Sequence, residues 1–234
     1  RSRGLGDVYN RQLYCHGGGY TSGNLGYSRV LSSKLAHATG YDVLSFEYRL
    51  APEFPYPAAV EDALRAWDYL MLQGYGARDI VLAGDSAGGN LALVLCHRLK
   101  AAGRRLPGAL VLMSPWTDMT MSGASYAERA ESDPMLTPEY IEAVRTAYAG
   151  GRDYASPDLS PLFADLTGFP PTLIQAGDHE ILYSDAEMLC HALERAGVPC
   201  RFEVSEGMWH VFQMFPLRKA AAAMESVARF LLER

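Results

Sequence analysis

Short runs of apolar, β-branched and aromatic residues alternate along this chain with longer stretches whose apolar positions recur every three or four residues. The first kind predicts strands at Gln12–Cys15, Tyr41–Tyr48, Ile80–Ala83, Ala109–Met113, Thr172–Ala176 and Cys200–Val204. The second predicts helices over Leu25–Ala38, Ala58–Leu72, Ala87–Ala101, Pro138–Tyr148, Ser184–Ala196 and Leu217–Leu232, with Pro57 opening one and Gly40 and Gly74 as stops. Strand and helix in turn point to an α/β fold, a mostly parallel central sheet with helices on both faces. Two irregular stretches, Ser114 to Leu136 and Gly150 to Pro171, are longer than ordinary connections. They are expected either to lie over the top of the sheet and shape a pocket, or to coil over plain surface.

At 234 residues the chain predicts one domain, 1–234, with a single sizeable core. A net charge of −6 without a block of like charges argues against nucleic acid as a partner. No apolar run approaches the ~20 residues that span a bilayer, and Arg1–Gly6 lacks the apolar stretch of a secretory signal. The four cysteines, Cys15, Cys96, Cys190 and Cys200, have no CxxC spacing and sit among apolar neighbours. They read as buried reduced thiols, which suggests a cytoplasmic location.

Chemistry enters at Gly84-Asp85-Ser86-Ala87-Gly88, a G-x-S-x-G pattern between a predicted strand and a predicted helix. A strand turning sharply into a helix forces its central residue into a strained conformation and lifts the Ser86 hydroxyl above the sheet. The following helix aims free N–H groups and its positive end at the same place. Upstream, His16-Gly17-Gly18-Gly19 follows the first strand and suits a loop whose backbone N–H groups stabilise an oxyanion. The expected donors are the N–H groups of Gly17, Gly18 and Ala87, with His16 orienting the loop.

A serine nucleophile needs a base and an acid, which in this architecture follow in the order Ser, acid, His. Of the six histidines, His210 suits the base best, in a loop after the last strand and before the final helix; His179 is the main rival. The acid should follow the strand Thr172–Ala176, where position leaves Asp178 and Glu180 open and Asp185 reads as a helix N-cap. Tyr20, Asp85, Met208, Trp209 and Phe212 flank these motifs as candidate substrate contacts, or as ordinary core. No metal or organic cofactor is implied.

These motifs, with Tyr48-Arg49-Leu50-Ala51-Pro52-Glu53, Ser114-Pro115-Trp116-Thr117-Asp118 and Trp209-His210, resemble the bacterial hormone-sensitive-lipase-like esterases, often called family IV, from about Leu13 onward. The resemblance implies an α/β-hydrolase fold and a serine carboxylesterase acting on small acyl esters of short chain. Other acyl hydrolysis (amidase, deacetylase, lactonase) or a catalytically silent binding protein on the same scaffold are the alternatives. It puts the acid on Glu180, where many relatives have Asp, and implies a homodimer through the last strand and helix. Relatives carry a helical cap segment and two further strands before the glycine run; here His16 arrives after fifteen residues, so both are expected to be absent.

Overall fold

The computed structural model describes residues 11–233; the Arg1–Gly6 segment lies outside them. Six strands, β1 (Arg11–Cys15), β2 (Asp42–Ser45), β3 (Ile80–Asp85), β4 (Ala109–Met113), β5 (Thr172–Gly177) and β6 (Cys200–Ser205), form one parallel sheet in the order β2-β1-β3-β4-β5-β6. The helices α1 (Leu25–Thr39), α2 (Ala58–Leu72), α3 (Ala87–Ala101), α4 (Ser125–Glu128), α5 (Pro138–Ala149), α6 (Tyr183–Arg195) and α7 (Arg218–Leu232) fill the connections.

Alternation along the strands sorts the core into two layers. Leu13, Leu82, Leu110, Leu112 and Ile174 face one way, onto α2, α3 and α6. Tyr14, Val81, Ala83, Val111 and Leu173 face the other, onto Leu31 and Leu35 of α1 and Met224, Val227 and Phe230 of α7. Helices thus cover both faces, and the fully buried central strands read as continuous apolar runs for that reason.

The chain leaves β1 for β2 on one side and returns to build β3 to β6 on the other. That reversal makes β1 and β3 the switch point of the sheet, where ligands bind beyond the strands' carboxyl ends. The glycine run follows β1 and Ser86 follows β3.

Helix ends obey their sequence signals. Asn24 accepts the Tyr27 N–H at the start of α1, and Gly40, left-handed at φ 72°, ends it. Thr137 caps α5, with Pro138 in its first turn. The second strand is shorter than its apolar run predicts, because beyond Ser45 the chain turns away to serve the glycine loop: Tyr48 Oη donates to His16 O at 2.6 Å and Ala51 N to Tyr20 O at 2.8 Å. Of the irregular stretches, the first closes over the carboxyl edge of the sheet, where Asp133 accepts the Ile181 N–H at 2.9 Å. The second runs along α3, tied by Lys100 Nζ to Asp165 and Thr167 carbonyls at 2.9 and 2.6 Å. Among the described residues no helix is long and apolar enough to cross a membrane.

Candidate active site

Ser86 has φ 54° and ψ −123°, a conformation that costs a non-glycine residue about 1–3 kcal/mol. Both its backbone groups are tied to the end of β4: its N–H donates to Met113 O at 3.0 Å, and its carbonyl accepts from Trp116 N at 3.1 Å. The flanking glycines let the backbone close this tightly. A Cβ on Gly84 would lie 2.3 Å from Gly88 O, and one on Gly88 would lie 2.1 Å from Cys15 O. Ser86 keeps partial exposure while its neighbours Asp85 and Ala87 have none.

His210 and Glu180 form a buried pair, Nδ1 to Oε2 at 2.8 Å. The other carboxylate oxygen accepts the Gly177 N–H at 2.8 Å and the Ser114 hydroxyl at 3.0 Å. Ser114 in turn accepts the Val211 N–H at 3.0 Å. Since the residue before Ser114 holds the Ser86 amide, the end of β4 joins the serine elbow to the Glu180–His210 pair. With Nδ1 engaged by the carboxylate, Nε2 is the nitrogen left to work.

The rivals are placed elsewhere. Asp178 spends its carboxylate on the Gly207 N–H at 2.6 Å, and His179 is exposed on the surface beside it. Asp185 is no N-cap: it lies inside α6, fully buried, and accepts Thr117 N at 2.7 Å and Asp118 N at 2.9 Å. Burial pushes its carboxyl up to about 8.

The glycine run departs from expectation at one donor. The Gly17 N–H points at Asp85 Oδ1, 2.9 Å away, and is already spent. The N–H groups of Gly18, Gly19 and Ala87 find no acceptor among the described residues. The Gly19 N–H is thus open where that of Gly17 is taken. His16 is buried, stacked on Tyr48 with ring centres 4.1 Å apart, and its Nδ1 lies 2.7 Å from Gly17 O. Burial lowers its pKa, which disfavours the charged imidazolium.

Three of the candidate substrate contacts take the structural reading that the sequence left open. Asp85 is fully buried and also accepts the hydroxyls of Tyr14 and, at 2.7 Å, Tyr27; burial pushes its pKa up against these donors. Tyr20 stacks on Tyr148 at 3.6 Å and donates to Asn90 Oδ1 at 2.7 Å. Phe212 has no exposed surface and packs on Ala220 and Ala223. Met208 and Trp209 remain partly exposed, Trp209 edge-on to Phe215. Ser114, Tyr14, Tyr27 and Tyr48 were given no role from sequence; Ser114 and Tyr48 lay inside motifs, but Tyr14 and Tyr27 sit on a strand and a helix with no spacing to mark them.

The model of a family described as having the alpha/beta hydrolase fold matches residues 12–214. An acetyl-hydrolase of Streptomyces hygroscopicus is 42% identical over 221 residues, which is 94% of this chain and 74% of that protein. An esterase of Acinetobacter venetianus is 38% identical, over 93% of this chain and 73% of its own. A solved esterase of the bacterial hormone-sensitive lipase family superposes with a TM-score of 0.93 at 41% identity, covering 96% of this chain and 76% of that one.

Proposed function

The chain belongs to the hormone-sensitive-lipase-like esterases, carboxylic ester hydrolases of the α/β-hydrolase fold, and from that premise we propose that it cleaves short-chain acyl esters through an acyl-Ser86 intermediate. The observation that carries the reading is the strained, partly exposed Ser86 joined through the end of β4 to a buried His210–Glu180 pair.

His210 Nε2 takes the Ser86 proton as the oxygen attacks the ester carbonyl. The resulting oxyanion is held by the N–H groups of Gly18, Gly19 and Ala87, with the N-terminus of α3 behind them. Imidazolium is stabilised by Glu180. It returns the proton to the leaving alcohol as the tetrahedral intermediate collapses. Water then enters by the same steps in reverse order, releasing the carboxylic acid and free Ser86. The acetyl-hydrolase and esterase names of the relatives support a small acyl group. Four free cysteines support a reducing, cytoplasmic setting. A homodimer would use the outer edge of β6, where Val204 is 44% exposed.

Hydrolysis of p-nitrophenyl esters from acetyl to palmitoyl tests the reading, with Ser86→Ala beside the parent. Turnover should be fastest on the shortest esters and fall on the order of 10⁴-fold or more in the variant. A folded parent that cleaves amides or lactones but no ester would replace this substrate class, and one that cleaves nothing would leave a binding protein.

A further inference from the structure

Lys34 on α1 ends against the backbone that follows His210. Its Nζ donates to the carbonyls of Gln213 at 2.7 Å, Met214 at 3.0 Å and Phe215 at 2.9 Å. An ammonium has three protons and no acceptor, so the group is fully used. These carbonyls end the single 3₁₀ turn Phe212–Met214, at the place where a turn's carbonyls lack partners. Phe215 O also accepts the Leu217 N–H at 2.9 Å; for the other two, Lys34 is the donor among the described residues. Burial lowers the Lys34 pKa, which marks a contact partly withdrawn from water.

The turn is entered through Val211, left-handed at φ 50° and ψ 42°. That conformation is poor for a β-branched residue and persists only where its surroundings dictate it. The turn's own backbone bonds, Phe212 N–H to Trp209 O at 3.2 Å and Met214 N–H to Val211 O at 3.0 Å, do part of this. Two side chains do the rest: Ser114 Oγ accepts the Val211 N–H on one side, and Lys34 donates to the carbonyls beyond on the other. His210 directly precedes Val211, so the backbone that carries the imidazole is fixed between them.

We infer that Lys34 is a positioning residue for His210: its grip on the three carbonyls holds the imidazole where it can both take the serine proton and deliver it to the leaving group. The inference rests on the reading of His210 as the base. Lys34 hydrogen-bonds none of Ser86, Glu180 and His210, so it acts through the backbone alone.

The two proton transfers allow a test that a loss of folded protein would not mimic. p-Nitrophenolate departs without protonation, whereas the ethoxide of ethyl acetate needs the imidazolium proton. A misplaced imidazole therefore harms the ethyl ester more. The value of kcat/KM reports acylation, the step in which the leaving group departs. It is measured on both acetates with the full chain and with Lys34→Met, Lys34→Gln and Lys34→Arg.

Lys34→Met should lose about 10-fold on p-nitrophenyl acetate and about 100-fold on ethyl acetate, the scale of a displacement of roughly 1 Å. Lys34→Arg, with several donors in its fork, should return both to within about threefold of the parent. An unchanged ratio between the two esters in folded Lys34→Met overturns the inference. If that variant does not fold, Lys34→Gln, which keeps an uncharged amide with two N–H donors, carries the comparison. Failure of both to fold makes Lys34 a support of the fold and also overturns the inference. A parent inert on both esters, or one indifferent to Ser86→Ala, would instead sink the proposed function.

Discussion

Ser114 and Glu180 share a buried hydrogen bond of 3.0 Å that ties the end of β4 to the loop after β5. The same hydroxyl accepts the Val211 N–H, so one serine braces both the carboxylate behind His210 and the backbone beside it. Ser114→Ala removes both contacts. It leaves Glu180 Oε1 with the Gly177 N–H alone and strands a buried amide. Such a loss costs about 1–3 kcal/mol. We expect a lower Tm and a kcat reduced about 10-fold or more, the scale of loss on removing a group that orients a working ligand. A variant with parent kcat would show that Glu180 and Val211 hold their places unaided.

The choice between Glu180 and Asp178 predicts opposite outcomes for two isosteric substitutions. Glu180→Gln keeps the shape but can present an amide N–H to Nδ1, favouring the wrong tautomer and removing the charge opposite imidazolium. On the Ser-His-Asp precedent it should lower kcat by up to about 10⁴-fold. Asp178→Asn can still accept from the Gly207 N–H and should stay within a few-fold of the parent. Steady-state kinetics on p-nitrophenyl acetate separate the two; the reverse order would move the acid to Asp178.

What was legible beforehand was whatever a local pattern encodes. The apolar runs marked the four inner strands because a parallel sheet covered on both faces hides them almost entirely, and the partly exposed edge strands β2 and β6 showed through their β-branched and aromatic residues. Ser86 and His210 stood out because an elbow between strand and helix, and a histidine after the last strand, are local placements. What stayed open, or pointed to the wrong donor, depends on contacts distant in sequence. Gly17 seemed a free donor until Asp85, 68 residues away, was seen to accept its N–H. Tyr20 and Phe212 flank motifs, as pocket residues would, yet Asn90, Tyr148 and α7 absorb them into the core. Nothing near Lys34 in sequence hints at carbonyls about 180 residues further on.

Asp85 links the serine elbow to the glycine loop, so its removal should disturb the oxyanion donors more than substrate binding. Asp85→Ala frees the Gly17 N–H and leaves the Tyr14 and Tyr27 hydroxyls without their acceptor. Loss of one oxyanion donor typically costs about 10²–10³-fold in kcat. A loosened loop should approach that range with KM little changed, and Asp85→Asn, which retains one acceptor oxygen, should fall between. A rise in KM with kcat intact would mean that Asp85 serves binding.

Asp185 gives the stability of this protein a pH dependence of unusual sign for a carboxylate. Burial raises its pKa to about 8, against an unfolded value of about 3.9. Between those values the folded state holds a proton that the unfolded state has released. Unfolding therefore becomes easier as pH rises from about 4 to about 8, by at most about 1.4 kcal/mol per pH unit, and the effect levels off above the folded pKa. Asp185→Asn removes this titration while its amide oxygen can still accept from the Thr117 or Asp118 N–H. The stability difference between variant and parent should thus grow in favour of Asn from pH 5 to pH 8. Urea unfolding of both proteins across that range measures it, and a difference that stays constant with pH would mean that Asp185 is ionised in the fold throughout.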